Sequence, residues 1–394
     1  MNNRTSHPLQ PSIEGQLHAS ATRIRRFKAP ALSYAIATAD GTVSSGVIGL
    51  ADLGERRTAS VDDQYPWFSM TKIATATAVM RLHAAGHLDL DTAVDEYLPD
   101  YHSGRRGKPT VRQLLTHTAG LANPLPIRWV RPEKQAPTPG LLQGIVRKHG
   151  KPRRSPGGRA AYSNIGYLIA GQVIEAVTER SVEQVITNLV LRPLGMDRTG
   201  FTFDTGRPRA TGYVIATPLA HPMVKALLPT GVAGPRVGRF LSLRPFLVEG
   251  PAYGGLIGPA SDAVRLAAAH LQTPGQRSGT GSLGDLSQMR AIQHAGRPFD
   301  HGIGWFRKPA DAARSPQFVE HYGTGGGFWN AMRIYPDLGL AVVGMTNATT
   351  AWPFDDFFTD VVENLSLHNS YFSQAAISAD GSRQDKRSIP NSDA

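Results

Sequence analysis

A serine and a lysine three residues apart are the first side chains in this sequence that can do chemistry. They are Ser69 and Lys72, at the two ends of the run Ser-Met-Thr-Lys that opens an alanine-rich stretch. A serine hydroxyl is a poor nucleophile until a neighbouring base takes its proton, and a desolvated lysine is such a base. If the stretch is helical, residues i and i+3 share one face and Lys72 reaches the Ser69 hydroxyl. Alone the spacing is weak, because a helix cap beside a surface lysine has the same pattern.

A second group is Tyr162-Ser163-Asn164, which follows a Gly- and Pro-rich approach and precedes a predicted helix. A phenol near ammonium groups loses its proton more easily, so Tyr162 can exchange protons with Ser69. The Asn164 side chain can offer its carbonyl to Lys72 and its amide to a substrate carbonyl. Taken alone, the three residues fit better an N-cap asparagine after a packed tyrosine.

A third group, His-Tyr-Gly-Thr-Gly-Gly-Gly-Phe at 321–328, precedes a predicted strand. Its glycines allow a substrate to lie against the strand edge, where backbone N–H groups act as donors. Phe328 occupies the last position that G-x-G-x-x-G requires for glycine, which disfavours a nucleotide loop. A plain flexible turn is the equally good alternative for this group by itself.

Other common chemistries have no support in the sequence. The chain has no cysteine, which excludes disulfides, thiolate metal sites and a cysteine nucleophile. H-E-x-x-H, Walker A and G-x-S-x-G are absent, and the 13 histidines lack metal-ligand spacing. His117 resembles a catalytic base most, but we expect it to hold a loop beside the site.

The elements that must position these groups come from both ends of the chain. Two predicted hairpins pair Leu32–Thr38 with Val43–Leu50, and Ala331–Tyr335 with Leu340–Met345. A helix is predicted for Asp355–Leu367, whose apolar residues share one broad face. Hairpins favour an antiparallel sheet, here assembled from the two chain ends.

The middle of the chain is predicted to be mainly helical. Apolar spacing predicts helices at Thr71–Ala85, Val111–Leu115 and Ile165–Thr178. The stretches 124–158 and 207–250 resist assignment and are predicted to form walls or lids over a site. The expected fold is therefore α/β (α+β), with a mainly helical lobe inserted into a sheet lobe.

Together the three groups resemble the motifs of the serine β-lactamase and penicillin-binding-protein superfamily. The resemblance is to the branch that holds class C β-lactamases, D-alanyl-D-alanine carboxypeptidases and family VIII carboxylesterases. In this sequence Y-S-N takes the place of the family motif S-D-N, and H-Y-G takes the place of K-T-G. The resemblance covers roughly residues 15 to 367. It implies a β-lactamase/transpeptidase-like fold. Further similarity lies in the segments 114–121, 254–256, 260–262, 302–305 and 335–337.

The resemblance also implies an acyl-enzyme mechanism without a metal or an organic cofactor. Ser69 would attack, Lys72 and Tyr162 would carry protons, and Asn164 would orient Lys72 and the substrate. The backbone N–H groups of Ser69 and Thr324 would form the oxyanion hole. The residues expected to bind substrate are Asn164, His321, Gly323 and Thr324.

One departure from the family pattern decides the predicted substrate. Relatives that act on β-lactams or peptides usually start the third motif with Lys, whereas His321 is mostly neutral at pH 7 if unperturbed. We therefore predict a carboxylesterase cleaving short to medium acyl esters, with a small-molecule ester or amide as partner. The alternatives are an acyltransferase, a D-amino-acid peptidase or β-lactamase using the same chemistry, and a non-catalytic ligand-binding relative.

Length and charge set the remaining expectations. The net charge of +11 raises nucleic acid or an anionic membrane as a partner, but no stacking aromatics accompany the basic clusters, so solvated basic faces are expected. No apolar stretch approaches the roughly 18 residues of a membrane span, and no signal peptide is visible. We predict a cytoplasmic protein whose oligomeric state is left open. The predicted organisation is a disordered arm at 1–10, a catalytic domain at 11–375 and a disordered tail at 376–394, with lobes at about 11–68 plus 251–375 and 69–250.

Overall fold

The computed structural model describes residues 15, 18–22, 29–39, 41, 43–217, 219–271 and 283–365. The arm predicted for 1–10 and the tail predicted for 376–394 lie outside these residues.

The strands of the described chain fall into one large sheet and three small ones. In chain order they are β1 (Ala31–Thr38), β2 (Val43–Asp52), β3 (Arg57–Thr58), β4 (Tyr65–Pro66), β5 (Val130–Pro132), β6 (Gly212–Ile215), β7 (Ala233–Val237), β8 (Phe240–Leu243), β9 (Phe246–Val248), β10 (Ile257–Gly258), β11 (Asp300–His301), β12 (Phe306–Arg307), β13 (Val319–Gly325), β14 (Phe328–Tyr335) and β15 (Leu340–Thr346). The large sheet has the spatial order β11-β12-β13-β14-β15-β1-β2-β3, and all of its strand pairs are antiparallel. Both chain ends build it, as the two predicted hairpins required.

Along the chain, the helices lie mostly between the two segments that form the large sheet. In chain order they are α1 (Thr71–Ala84), α2 (Val94–Tyr97), α3 (Val111–Leu115), α4 (Leu141–His149), α5 (Asn164–Thr178), α6 (Val182–Ile186), α7 (His221–Leu227), α8 (Pro251–Gly254), α9 (Ala260–Ala269) and α10 (Ser287–Arg290). Short 3₁₀ turns occur at Phe68–Met70, Gly104–Arg106, Pro309–Asp311 and Pro336–Leu338, and a π turn at Thr187–Leu191. A further helical segment covers 354–365, so the predicted C-terminal helix is present up to the last described residue. The three predicted inner helices are confirmed within one residue at either end.

The large sheet is covered on both faces, which explains its apolar strands. Along β1, Ala35 and Ala37 face the main core with α9, while Leu32 and Ile36 face the second core with the helical segment at 354–365. Successive side chains of a strand point to opposite faces, so a strand buried on both sides reads as a continuous apolar run. Small side chains on one face let α9 approach closely, and bulky ones on the other pack against residues such as Phe357.

The central helix α1 carries the Ser-x-x-Lys run at its start and is buried nearly all round. Eleven of its residues, from Thr71 to Leu82, are inaccessible to solvent. A helix that is apolar on every side belongs in the interior, and its many alanines allow α5 and α8 to pack closely against it. The sheet lobe and the helical insert therefore share one core around α1.

A buried ion pair links β13 to β14 directly beside the third motif. Glu320 and Arg333 face each other in the ladder, with Arg333 Nη2 at 2.7 Å from Glu320 Oε2, and both side chains are fully buried. Tyr322 donates its hydroxyl proton to the same Glu320 carboxylate. The Arg333 guanidinium also contacts Asp355 at 2.7 Å, which connects the sheet to the helical segment at 354–365. This network fixes the strand that carries His321.

Replacing one partner of the Glu320–Arg333 pair should lower the free energy of unfolding. Arg333→Met leaves the Glu320 carboxylate buried without its partner, and we expect the free energy of unfolding to fall by about 3–5 kcal/mol. The double variant Arg333→Met/Glu320→Leu should be more stable than Arg333→Met, because no unpaired charge remains. Urea unfolding measures both. As a control, Arg207→Met removes a more exposed pair with Asp204 and should cost less than about 1 kcal/mol. An Arg333→Met variant as stable as this control would contradict the role given to the network.

Candidate active site

Ser69 lies on a tight turn that presents its hydroxyl to a cavity. The 3₁₀ turn Phe68–Met70 runs directly into α1, and Phe68 has a φ of 47°, which is unusual for a residue with a side chain. Packing holds this conformation, since the Phe68 ring lies 6.2 Å from Phe246 and 6.3 Å from Phe328. The result is a half-buried Ser69 at the positive end of a 14-residue helix, where negative charge on a nearby oxygen is favoured.

The Lys72 amine lies in the centre of the site, with uncharged partners only. Its Nζ is 3.0 Å from Ser69 Oγ, 2.9 Å from Asn164 Oδ1 and 3.0 Å from the carbonyl oxygen of Tyr253. Three tyrosine rings surround it, with centroids 5.0 to 5.4 Å from Nζ; they belong to Tyr162, Tyr167 and Tyr253. No carboxylate of the described residues pairs with it.

This environment favours the neutral amine. Lys72 is fully buried, and the loss of water lowers its pKa well below the usual value. A neutral amine has two N–H donors and one lone pair. The two carbonyl oxygens, of Asn164 and Tyr253, can take the two donors, which leaves the lone pair for the Ser69 hydroxyl proton. The geometry is that of a general base beside a nucleophile.

Tyr162 is also in contact with Ser69, but its acid–base state differs from the sequence expectation. The sequence suggested that nearby positive charge would favour the phenolate. Burial instead raises the pKa of Tyr162, and the hydrogen bond with Ser69 offsets this only in part. Because Lys72 is itself held neutral, the cation that would stabilise a phenolate is missing. Tyr162 is therefore a proton donor in the resting site.

His117 positions the second motif and does not line the cavity. Its Nδ1 accepts the backbone N–H of Ser163 at 3.0 Å, and its ring lies 4.5 Å from that of Tyr162. Burial lowers the pKa of His117 well below the usual range, so the ring stays neutral. Ser163 caps α5 by accepting from Gly166, so the cap is the serine and Asn164 is free for Lys72. The structure thus agrees with a structural role for His117.

The strand β13 passes close to the turn that carries Ser69, and glycine makes this possible. A Cβ on Gly323 would collide with the carbonyl oxygen of Trp67, and one on Gly325 would collide with the Phe68 ring. Gly323 is therefore a close packing contact between the strand and this turn, and the substrate-binding role predicted for it stays a prediction. Thr324, the next residue, lines the cavity together with Tyr162 and Asn164.

His321 places an unused acceptor at the cavity wall. Its Nδ1 lies 2.8 Å from the carbonyl oxygen of Tyr322, which can only accept, so the Nδ1 proton is donated there. The Nε2 atom then carries a lone pair, is buried and has no partner in the described structure. Burial lowers the pKa of His321 well below its usual range. The side chain is thus a neutral acceptor and not a cation.

The cavity in front of Ser69 is large and mostly apolar. Its volume is about 700 Å³, and Ser69, Tyr162, Asn164, His321 and Thr324 lie together on its wall. The two stretches that resisted assignment form much of the remaining wall, as predicted. Their contributing residues are Pro126, Ile127 and Val130 from the first stretch, and Val214, Val224, Leu227, Leu228, Val232, Leu243, Phe246 and Val248 from the second. No Asp, Glu, Lys or Arg lines it among the residues that the structure describes.

Two residues of the site were not found from the sequence. Tyr253 supplies both a carbonyl acceptor and a ring to Lys72, and the only local signal was the glycine pair that follows it. His301 packs against His117 at 4.7 Å, and burial lowers its pKa to about 4. Both come from distant parts of the chain, so no motif links them to Ser69.

The described residues contain neither a metal-binding cluster nor a membrane-spanning helix. No group of three or more His, Asp or Glu side chains there can hold a metal ion. None of the helices in the same part of the chain has the length and apolar character needed to cross a bilayer.

Curated relatives match this chain over different lengths. Penicillin-binding protein 4 of Amycolatopsis lactamdurans is 26% identical over 341 residues, which are 83% of this chain and 82% of that protein. Protein flp of Staphylococcus aureus (strain COL) is 30% identical over 156 residues, which are 39% of this chain and 31% of flp. The chain therefore spans only about a third of the length of flp.

Solved structures share the fold over almost the whole chain. The D-amino acid amidase from Ochrobactrum anthropi SV3, complexed with D-phenylalanine, has a TM-score of 0.72 at 22% identity, covering 90% of this chain and 99% of the amidase. A β-lactamase/D-alanine carboxypeptidase from Pseudomonas syringae has a TM-score of 0.65 at 19% identity, covering 91% and 99%. At these identities the likeness concerns the fold.

The family model for beta-lactamase matches residues 21–360, which include all three motifs and the sheet from both chain ends. Such a match over most of the chain agrees with the penicillin-binding-protein relative and with the shared fold. The chain therefore belongs to the beta-lactamase family, within the serine β-lactamase and penicillin-binding-protein superfamily of hydrolases.

Proposed function

We propose that this protein is a carboxylesterase that cleaves short to medium acyl esters through an acyl-enzyme on Ser69. The observation that carries the proposal is the uncharged cavity of about 700 Å³ into which the Ser69–Lys72 pair opens. An apolar acyl or alcohol group gains free energy by leaving water there, whereas a carboxylate finds no cation among the described lining residues.

Acylation follows from the state of the three central groups. The Lys72 lone pair accepts the Ser69 proton while Ser69 Oγ attacks the ester carbonyl carbon. The backbone N–H groups of Ser69 and Thr324 donate to the developing oxyanion, supported by the position of both residues on the cavity wall. Tyr162, a protonated phenol, donates its proton to the leaving alcohol oxygen and regains one from the Lys72 ammonium. The C–O bond breaks, and the acyl group stays on Ser69.

Deacylation repeats the proton transfers with water. A water molecule attacks the acyl carbon, and its proton passes to the Lys72 amine. The resulting ammonium returns a proton to Ser69 Oγ as the bond between Oγ and the acyl carbon breaks, which releases the carboxylic acid and restores the serine. Asn164 keeps the Lys72 amine in place through both halves, since its Oδ1 accepts from Nζ. His321 stays neutral, so it places no charge next to a bound ester.

A second candidate, an amidase or peptidase acting on D-amino-acid derivatives, is favoured by the free Nε2 of His321. This acceptor matches an N–H donor on the substrate, which an ester of a simple acid lacks. The D-amino acid amidase among the similar structures is in line with this candidate. A kcat/KM for D-phenylalanine amide above that for the best ester, lost in His321→Phe, would select it.

Ser69 should be the residue that becomes acylated. A fluorophosphonate probe should label the wild type, and Ser69→Ala should abolish labelling and lower kcat/KM by at least about a hundredfold, because the nucleophile is gone. Mass spectrometry of the labelled peptides locates the adduct. Ser45→Ala, at an exposed strand position, is the matched control and should label normally. An adduct on any other serine would refute the mechanism.

The pH profile should separate Lys72 from Tyr162. Below the lowered pKa of Lys72 the amine is an ammonium without a lone pair, so kcat/KM should rise with pH and reach a plateau. Lys72→Met and Tyr162→Phe should each lose at least about a hundredfold in rate on p-nitrophenyl butyrate. The rise with pH should persist in Tyr162→Phe and disappear in Lys72→Met.

The control for this experiment is Lys148→Met, which removes an exposed lysine of α4 and should leave the profile unchanged. Near-native activity in Tyr162→Phe would remove the phenol from the mechanism. A profile that keeps its acid limb in Lys72→Met would assign the limb to another group.

Acyl-chain length should test the cavity. Each buried methylene contributes about 0.8 kcal/mol, and the butyryl group has two more methylenes than the acetyl group, so p-nitrophenyl butyrate should exceed the acetate by about fifteenfold in kcat/KM. The hemisuccinate, of similar length but anionic, should be a much poorer substrate than the butyrate. Leu228→Asn, on the cavity wall, should lower the butyrate/acetate ratio, whereas Leu338→Asn, exposed elsewhere, should not. Nitrocefin hydrolysed as efficiently as the best ester would contradict the esterase proposal.

A further inference from the structure

Helix α7 exposes an apolar stripe to solvent. Leu219, Met223 and Leu227 are 93%, 62% and 48% exposed. They recur every four residues, and the turn before α7 is already helical, because His221 and Val224 donate their N–H groups to Thr217 and Ala220. Side chains at this spacing lie on one face of a helix. The helix also contributes to the cavity wall, since Val224 lines the cavity.

A second exposed apolar segment contributes to the same cavity. Leu125 is 80% exposed and Ile127 is 42% exposed. Ile127 and Leu227 both line the cavity that holds Ser69, so each of the two segments reaches the cavity wall. We call the five residues Leu125, Ile127, Leu219, Met223 and Leu227 the apolar rim.

The clustering of these side chains is what needs an explanation. The structure describes seven large apolar side chains that are exposed, and five of them belong to the apolar rim. The other two, Val61 and Leu338, are in separate parts of the chain. Scattered exposed apolar residues are ordinary, but a contiguous group around a cavity marks a contact surface.

Positive charge accompanies the apolar rim. Lys225 and Arg128 are exposed within its two segments. The sequence from 205 to 248, which includes α7, has six Lys or Arg residues and no Asp or Glu. Apolar side chains next to basic ones are the composition of helices that lie in the interface of an anionic membrane. An anionic bilayer suits both features, because its phosphate groups pair with the basic side chains and its acyl chains take up the apolar ones.

We propose that the apolar rim docks on an anionic phospholipid bilayer. Leu219 and Met223 insert among the acyl chains while Lys225 and Arg128 face the phosphate groups. The cavity mouth then opens onto the bilayer, and an apolar ester passes from it to Ser69 without crossing water. The docking stands on the exposed residues alone, whereas the passage of substrate rests on the proposed function.

Vesicle flotation tests the docking separately from catalysis. The full chain carrying Ser69→Ala, which cannot turn over lipid, is mixed with vesicles of phosphatidylcholine and phosphatidylglycerol in equal amounts. It should float with them, and pure phosphatidylcholine vesicles should capture much less. Leu219→Glu/Met223→Glu should lower the bound fraction at least about tenfold, because two charges then face the acyl chains. The matched control Val61→Glu/Leu338→Glu should bind normally.

Activity supplies the second readout. Leu219→Glu/Met223→Glu, in a chain with Ser69 intact, should hydrolyse a dissolved short-chain ester at the wild-type rate and lose activity only on an ester presented in the anionic vesicles. Normal flotation without any ester hydrolysis would refute the proposed function and leave the docking standing.

Two results would overturn the docking itself. One is a Ser69→Ala protein that stays unbound on anionic vesicles, or that binds equally well after Leu219→Glu/Met223→Glu. The other is a dimer in sedimentation velocity that this double variant dissociates, which would assign the apolar rim to a second copy of the chain.

Discussion

The buried amine of Lys72 is the interaction on which the site depends. A lysine taken out of water without a carboxylate partner is held neutral, and it must find acceptors for its two N–H groups. Those acceptors come from Asn164 at the start of α5 and from the carbonyl of Tyr253 in α8. Because both N–H groups of the neutral amine donate to uncharged oxygens, its lone pair remains for the Ser69 hydroxyl proton. A single carboxylate in this position would return the lysine to its charged form and remove the base.

The sheet supplies the second constraint, which is the distance between β13 and the turn that carries Ser69. Gly323 and Gly325 let the strand approach that turn to backbone contact. The buried Glu320–Arg333 pair, which links β13 to β14, holds β13 in place. A packed interior transmits small displacements, so the Arg333 network and the cavity wall at Thr324 belong to one rigid unit.

The composition of the cavity wall bears on which substrates fit the proposed chemistry. The wall combines two loop-rich stretches with β13, and the ionisable side chains among the described lining residues are one histidine, His321, and three tyrosines, Tyr162, Tyr253 and Tyr322. His321 is kept neutral by burial, so the wall presents an acceptor where relatives that act on β-lactams or peptides usually have a lysine. In the proposed reaction, the low polarity that favours neutral substrates is also the condition that keeps Lys72 unprotonated. The proposed substrate preference and the strength of the base thus share one physical cause.

The sequence by itself determined the features that depend on local periodicity and on spacing. The helix that begins at Thr71, the helix after Asn164 and the two hairpins follow from neighbouring residues, and so does the reach of Lys72 to Ser69 one helical turn away. Only the tertiary structure decided what surrounds that pair, because Tyr253 and His301 arrive from segments far along the chain. It also reversed the expected acid–base state of Tyr162. The expectation counted a nearby positive charge, but burial neutralises Lys72, and desolvation is a property of the folded interior that no local pattern records. Gly323 shows the same limit: its type was visible in the sequence, yet the reason for it is a close contact with Trp67 that exists only once β13 and the Ser69 turn have come together.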